Sequence, residues 1–184
     1  MLFGKTIVVT GAASGIGRRT AELAGQLGAE VIGIDRVKPA QVHGRFLEGD
    51  LSTAEGAAAI AAALPQGLDA LCNVAGVSGN GGAAQTLAIN VFGLRALSEA
   101  LVPKLRQGAS VVNVASIAGY GWRANLDRAK ATAALAGFPD AAQVVADFAI
   151  PDAAGYPVSK EFLLVWTMMA ARAPPPSSAS GGSG

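Results

Sequence analysis

Tyr156 and Lys160 stand four residues apart, so a helix would carry both on one face. A tyrosine phenol titrates near about pH 10, too high for an efficient base at neutral pH. An ammonium one turn away stabilises the phenolate and brings that value down. Such a pair suits proton transfer to or from an alcohol oxygen. Ser116 follows an apolar run and offers a hydroxyl that would hold the same oxygen. Taken alone, a Tyr-x-x-x-Lys spacing is also an ordinary helix face. Other groups must converge on it.

The segment Thr10-Gly11-Ala12-Ala13-Ser14-Gly15-Ile16-Gly17 supplies them. It follows an apolar run at 6–9 that reads as a buried strand and leads into helical spacing over 18–27. Gly11 permits a sharp turn, Gly15 lets bare backbone approach a pyrophosphate, and Gly17 allows tight helix-on-strand packing. The phosphates would meet unpaired N–H groups at the positive end of the helix. A glycine turn by itself is also a common structural joint. Asp35 raises its meaning, because it ends a second apolar run at 30–34, near the ~20-residue offset at which a carboxylate accepts from ribose hydroxyls. That carboxylate would repel a 2′-phosphate, so the reading is NAD rather than NADP. Arg18 and Arg36 are nearby cations, with Arg36 read as a solvated turn residue.

The elements that must position these groups alternate along the chain. Further strands are expected at 45–48, 69–74 and 110–115. Helices are expected at 53–64, with Ser52 and Glu55 as a capping box, and at 84–105, ended by Pro103 and Gly108. The last helix is expected at 156–172. This βαβ repetition predicts an α/β fold, a Rossmann-like doubly wound parallel sheet with strand order 3-2-1-4-5. Gly11, Asp35, Asp50, Asn73 and Ser116 all fall at or just beyond strand ends, on one edge of that sheet. Between Ser116 and Tyr156 lies a helical insertion, about 120–153, with pieces at 125–136 and 140–148 around Gly137-Phe138-Pro139. Trp122 there would line a substrate pocket or anchor the insertion.

Composition sets bounds. The 184 residues suit one domain, 51% are hydrophobic and 15% charged, as expected for strands buried on both faces. A net charge of +1 gives no pull toward nucleic acid or anionic membrane. Cys72 is the one cysteine, expected as a buried inert thiol, and His43 the one histidine, expected on the surface of a loop. No metal site is expected. The N-terminus runs straight into the first strand and the longest apolar run, 162–171, is too short for a bilayer, so a cytoplasmic protein without a membrane partner is expected. Residues 173–184 are low in complexity and expected to be disordered, leaving a dinucleotide-binding and catalytic domain at 1–172.

These residues together resemble the short-chain dehydrogenase/reductase family. The resemblance covers about 5–170 and rests on the glycine segment, Asp50-Leu51, Asn73-Val74-Ala75-Gly76, Asn90, Ser116, Tyr156 and Lys160. It implies Gly11, Ser14, Gly15, Ile16, Gly17, Asp35, Asp50, Leu51, Asn73, Ala75 and Gly76 as cofactor contacts, with Asp50 at the adenine. It implies Tyr156 as acid/base, Lys160 on the nicotinamide ribose and tuning Tyr156, and Ser116 orienting substrate. An asparagine like Asn90 would bend its helix and hold a water that links the lysine to solvent. The phrases 69–77 and 156–161, with the spacing around the insertion, are similar to the coniferyl-alcohol dehydrogenase and 3-alpha-hydroxysteroid dehydrogenase/carbonyl reductase group. The implied activity is NAD-dependent hydride transfer between nicotinamide and an alcohol or carbonyl, either steroid-like or aryl-allylic such as coniferyl alcohol. A homodimer or homotetramer is also implied, through helices matching 84–105 and 156–172.

Family members continue beyond this length with further strands and a substrate-covering lobe. The change near Met169 to Ala, Arg, Pro, Ser and Gly therefore reads as a truncation, by a frameshifted reading or an appended linker. It would leave the fifth strand as an exposed edge. The alternative is thus a truncated, catalytically inactive dinucleotide-binding module.

Overall fold

Five strands of Val-, Ile- and Leu-rich sequence form one parallel sheet in the computed structural model, which describes residues 1–172. The expected tail at 173–184 lies outside the described residues. The strands are β1 (Thr6–Thr10), β2 (Glu30–Asp35), β3 (Arg45–Glu48), β4 (Leu68–Asn73) and β5 (Leu105–Asn113). Their order is β3-β2-β1-β4-β5, as the alternation predicts. β1 is central, with Val8 and Val9 fully buried, because both its faces are covered by helices. The order reverses between β1 and β4, and the crevice outside their carboxyl ends is where such sheets bind ligands.

The helices are α1 (Gly15–Gln26), α2 (Ala54–Ala63), α3 (Gly82–Leu87), α4 (Leu94–Leu101), α5 (Leu126–Ala133), α6 (Ala141–Asp147) and α7 (Gly155–Ala170). One core packs Ile34, Ile60 and Leu97 on one side of the sheet, and another packs Ile7, Ala21 and Val31 on the other. A third, with Phe92, Val144 and Phe162, joins α5 and α6 to α7. Trp122 packs against this third core and stacks under Arg123, 4.3 Å from its ring centroid, so it anchors the insertion.

Several boundaries differ from the sequence expectation. α1 begins at Gly15, inside the glycine segment. α2 is capped by Thr53, whose side chain accepts from Gly56 N at 3.0 Å; Ser52 instead donates its backbone N–H to Asp50 in a tight turn. The helix expected at 84–105 is interrupted. A π-helical segment, Ala88–Gly93, separates α3 from α4, and a 3-10 turn, Val102–Lys104, ends it at Pro103. β5 starts five residues before the expected position and stops two before it. Gly108, read as a helix stop, lies within β5 at φ 79°, where the register against β4 shifts. Among the described residues β5 has no partner on its outer side, and Val112 is 52% exposed. Cys72 is half-buried rather than fully buried, and burial pushes its thiol pKa up. His43 is half-buried in its loop.

Candidate active site

At the carboxyl ends of β1, β2 and β4 lies a cleft of about 470 Å³. Gly11, Ser14, Gly15, Ile16, Gly17, Asp35, Asp50, Leu51, Ala75 and Gly76 all line it. Two glycines are dictated by close approach. A Cβ at Gly17 would stand 2.2 Å from Gly11 O, and one at Gly11 would stand 2.9 Å from Ala75 Cα. Gly11 also has φ 71°. Gly15 faces open space, so its bare backbone is available to the cleft. Ser14 is the N-cap of α1 but makes no side-chain cap bond, and no acidic residue lies in the first turn. The first-turn N–H groups are thus left for an anion, and the cradle fits a pyrophosphate.

Thr10 joins two of the motifs. Its Oγ1 accepts from Val74 N and from Ala75 N, each at 3.0 Å, pinning the loop after β4 to the glycine turn. Asp35 does similar work between β2 and that turn, accepting from Ala13 N at 3.0 Å and Val37 N at 3.3 Å. Each carboxylate oxygen keeps a lone pair for a ribose hydroxyl. Arg36 lines the cleft beside it with an exposed side chain.

Ile89 of the π segment lines the cleft near Val77, and α7 stands behind that lining. Lys160 is buried, donates to Val114 O at 2.9 Å, and lies 5.7 Å from the Tyr156 ring centroid. Burial pushes its ammonium pKa down. A Cβ at Gly76 would stand 4.0 Å from Lys160 Nζ, so the cleft lining reaches the lysine. Asn90, fully buried in the π segment, accepts from Val77 N at 2.8 Å and donates to Val77 O at 3.0 Å and to Ser159 Oγ at 3.1 Å. The extra residue in the π turn aims this amide across to the loop after β4. Ser116 caps a 3-10 helix, Ile117–Arg123, by accepting from Ala118 N at 3.1 Å. Its hydroxyl proton remains free to donate. Gly119 of this 3-10 helix lies against Lys160, where a Cβ would stand 2.8 Å from the Lys160 carbonyl carbon.

Asn90, Ser116, Tyr156 and Lys160 do not line the cleft, and neither does Asn73. Asn73 instead holds the sheet to its cover. Its buried amide donates to Ser98 Oγ and Asn113 Oδ1, each at 2.8 Å, and so ties β4 to α4 and β5. The Thr10 bridge and the cleft-lining Val77 and Ile89 were not singled out from sequence, while Arg36, read as a solvated turn residue, is exposed and lines the cleft. Thr10 opens the glycine motif, which was the available signal; Ile89 follows only from the π turn. Among the described residues no cluster of three or more His, Cys, Asp or Glu side chains offers a metal site, and no helix is long and apolar enough to cross a membrane.

A glycine cradle at the switch point of a 3-2-1-4-5 sheet, with a Tyr-x-x-x-Lys helix behind its lining, defines a Rossmann-type oxidoreductase domain. The chain belongs to the short chain dehydrogenase family, whose pattern it matches over residues 5–143. It is 37% identical over 171 residues to the coniferyl-alcohol dehydrogenase of Pseudomonas sp. (strain HR199 / DSM 7063), covering 93% of this chain and 67% of that protein. Other curated relatives are covered over 44% to 67% of their length, such as 54% of the short chain dehydrogenase andC of Emericella variicolor. The 3-alpha-hydroxysteroid dehydrogenase of Pseudomonas sp. B-0831, solved with NADH, superposes with a TM-score of 0.68 at 33% identity, over 91% of this chain and 71% of that one. The RhlG/NADP complex of Pseudomonas aeruginosa gives 0.67 at 27% identity, over 92% of this chain and 66% of that one.

Proposed function

We propose that this chain is the cofactor-binding and catalytic part of an NAD-dependent alcohol dehydrogenase or carbonyl reductase. The observation that carries the reading is Lys160 beside the Tyr156 ring, directly behind the cleft-lining Gly76. Gly11, Gly15 and the first turn of α1 would hold the pyrophosphate, and Asp35 the adenosine ribose. Bound nicotinamide would supply the hydride acceptor or donor. Ser116 would donate its free hydroxyl proton to the substrate oxygen and hold it in place. Tyr156 would take that oxygen's proton in oxidation, or return it in reduction. The Lys160 ammonium would steady the negative charge on the phenol oxygen and hold a ribose hydroxyl.

NAD is favoured over NADP by the Asp35 carboxylate, which would face a 2′-phosphate with like charge. Arg36 lines the same part of the cleft and is the residue that would oppose this preference. The substrate class, an aryl-allylic or steroid-like alcohol, is supported by likeness to the coniferyl-alcohol and 3-alpha-hydroxysteroid dehydrogenases. A second reading, a dinucleotide-binding module without turnover, is favoured by one feature: Ile117 and Tyr120, beside Ser116, are 88% and 77% exposed, so no described residue walls that side.

The test is NADH and NADPH binding followed by fluorescence, on the wild type and on Asp35→Ala, then turnover of coniferyl alcohol and of a 3-hydroxysteroid by wild type and Tyr156→Phe. Preference for NADH that is lost in Asp35→Ala, with turnover lost in Tyr156→Phe, supports the enzyme. Binding without any turnover supports the module. Absence of saturable binding to either cofactor refutes both.

A further inference from the structure

Resting on this reading, we propose that Glu161 is a positioning residue that locks the segment carrying Ser116 onto the helix carrying Tyr156 and Lys160. Glu161 follows Lys160 on α7, yet its side chain is only 7% exposed and points away from the cleft into the insertion. A buried carboxylate needs a full set of partners, and this one has them. Its Oε1 accepts from Asn125 Nδ2 at 3.1 Å, and its Oε2 pairs with Arg128 Nη2 at 3.1 Å. Both partners lie just after the 3-10 helix that Ser116 caps.

The linkage reaches back to the serine in two steps. Asn125 Nδ2 also donates to Gly121 O at 3.4 Å, within that 3-10 helix. A Cβ at Gly121 would stand 2.5 Å from Glu161 Oε1, so the helix rests directly on the carboxylate. Gly119 meanwhile sits against the Lys160 backbone. The segment 116–123 is thus pressed on α7 by missing side chains and held there by one buried charge. Arg128 closes the other side, lying 5.8 Å over the Phe162 ring. The exposed Ile117 and Tyr120 make little packing of their own, so the polar clamp at Glu161 works with Trp122, seated on the third core, to place Ser116.

The consequence is geometric. Ser116 and Tyr156 must address one substrate oxygen, and they come from segments 40 positions apart that meet through this contact, the glycine seats and Trp122 on the third core. Loosening the clamp leaves the cofactor cleft, built by other strands, as it was. A misplacement of about 1 Å at reacting groups costs roughly 100-fold in rate.

The experiment compares Glu161→Ala, Glu161→Gln and, as a comparator remote from the site, Asp69→Ala. Asp69 ties Lys5 and the Thr6 amide near the opposite end of the sheet. Each is measured for NADH affinity, for kcat and KM with alcohol, and for hydrogen exchange of the 117–121 amides. Glu161→Ala is expected to lower kcat by about 10- to 100-fold with NADH affinity and KM within about threefold of wild type. Its 117–121 amides should exchange about tenfold faster. Glu161→Gln keeps the acceptor for Asn125 and should recover part of both. The proposal is overturned if those amides exchange as in wild type, or if kcat falls no further than in Asp69→Ala. Wild-type chain that turns over no alcohol refutes the oxidoreductase reading instead. Exchange then decides alone, faster exchange in Glu161→Ala upholding the clamp and unchanged exchange removing it.

Discussion

Replacing Thr10 by valine isolates one oxygen atom. The two side chains have nearly the same shape, but valine offers no acceptor to the Val74 and Ala75 amides, both 3.0 Å from Thr10 Oγ1. Thr10 is 1% exposed, so no water takes the hydroxyl's place without disturbing the packing of β1. An orphaned buried amide costs about 1–3 kcal/mol. Val74 and Ala75 are half-buried at the cleft, so the lower part of that range applies to each. The expected loss is about 2–4 kcal/mol, or about 6–12 °C in Tm at its centre for a domain of this size. Urea unfolding measures it directly. Thr10→Ser keeps the acceptor and gives up only a methyl group, so it should lose about 1 kcal/mol. NADH affinity should fall in the valine variant, because the loop it frees lines the cleft. A valine variant within about 0.5 kcal/mol of wild type would refute the reasoning, and with it the role of Thr10 as the joint between the two motifs.

Two further predictions follow from the site. Gly17→Ala puts a Cβ 2.2 Å from Gly11 O, a backbone atom that cannot rotate away. The glycine turn must shift, costing about 1–3 kcal/mol and at least about tenfold in NADH affinity, read by urea unfolding and fluorescence titration. Burial holds the Lys160 pKa below its ordinary value of 10.5. Between those two values the unfolded chain binds more protons than the folded one, so the stability of the wild type rises with pH across that window. Measured against Lys160→Met, which cannot titrate, the wild type should gain stability as pH is raised toward 10.5, and a difference flat with pH would exclude the effect.

The positions proposed to bear the chemistry were placed by local spacing. Tyr156 and Lys160 share a face by helical period alone, and Asp35 ends a strand by the length of its apolar run. The alternation of strand and helix led to the parallel sheet, since right-handed crossovers leave few orders open. Local reasoning failed where another polar group competed for the backbone. Ser52 and Thr53 are both good caps, and the Asp50 carboxylate decided between them by drawing the Ser52 amide into a turn. The apolar period of 84–105 is continuous, yet Asn90 reaches Val77 and the helix opens into a π turn there.

What the sequence determined by itself was the kind of chemistry, the fold class and the edge of the sheet where they meet. Each follows from backbone geometry that neighbouring residues dictate. Only the tertiary structure decided which polar side chains hold that edge together. Arg95, in the expected helix 84–105, is 1% exposed and donates to Thr132 O within α5 and to Gly137 O beyond its end. Asn73, expected both to support its strand and to meet the cofactor, spends its amide on Ser98 and Asn113. Thr10 and Glu161 find partners 64 and 33 positions away. A buried polar group is satisfied by whatever the fold brings beside it, and no periodicity along the chain encodes that neighbour.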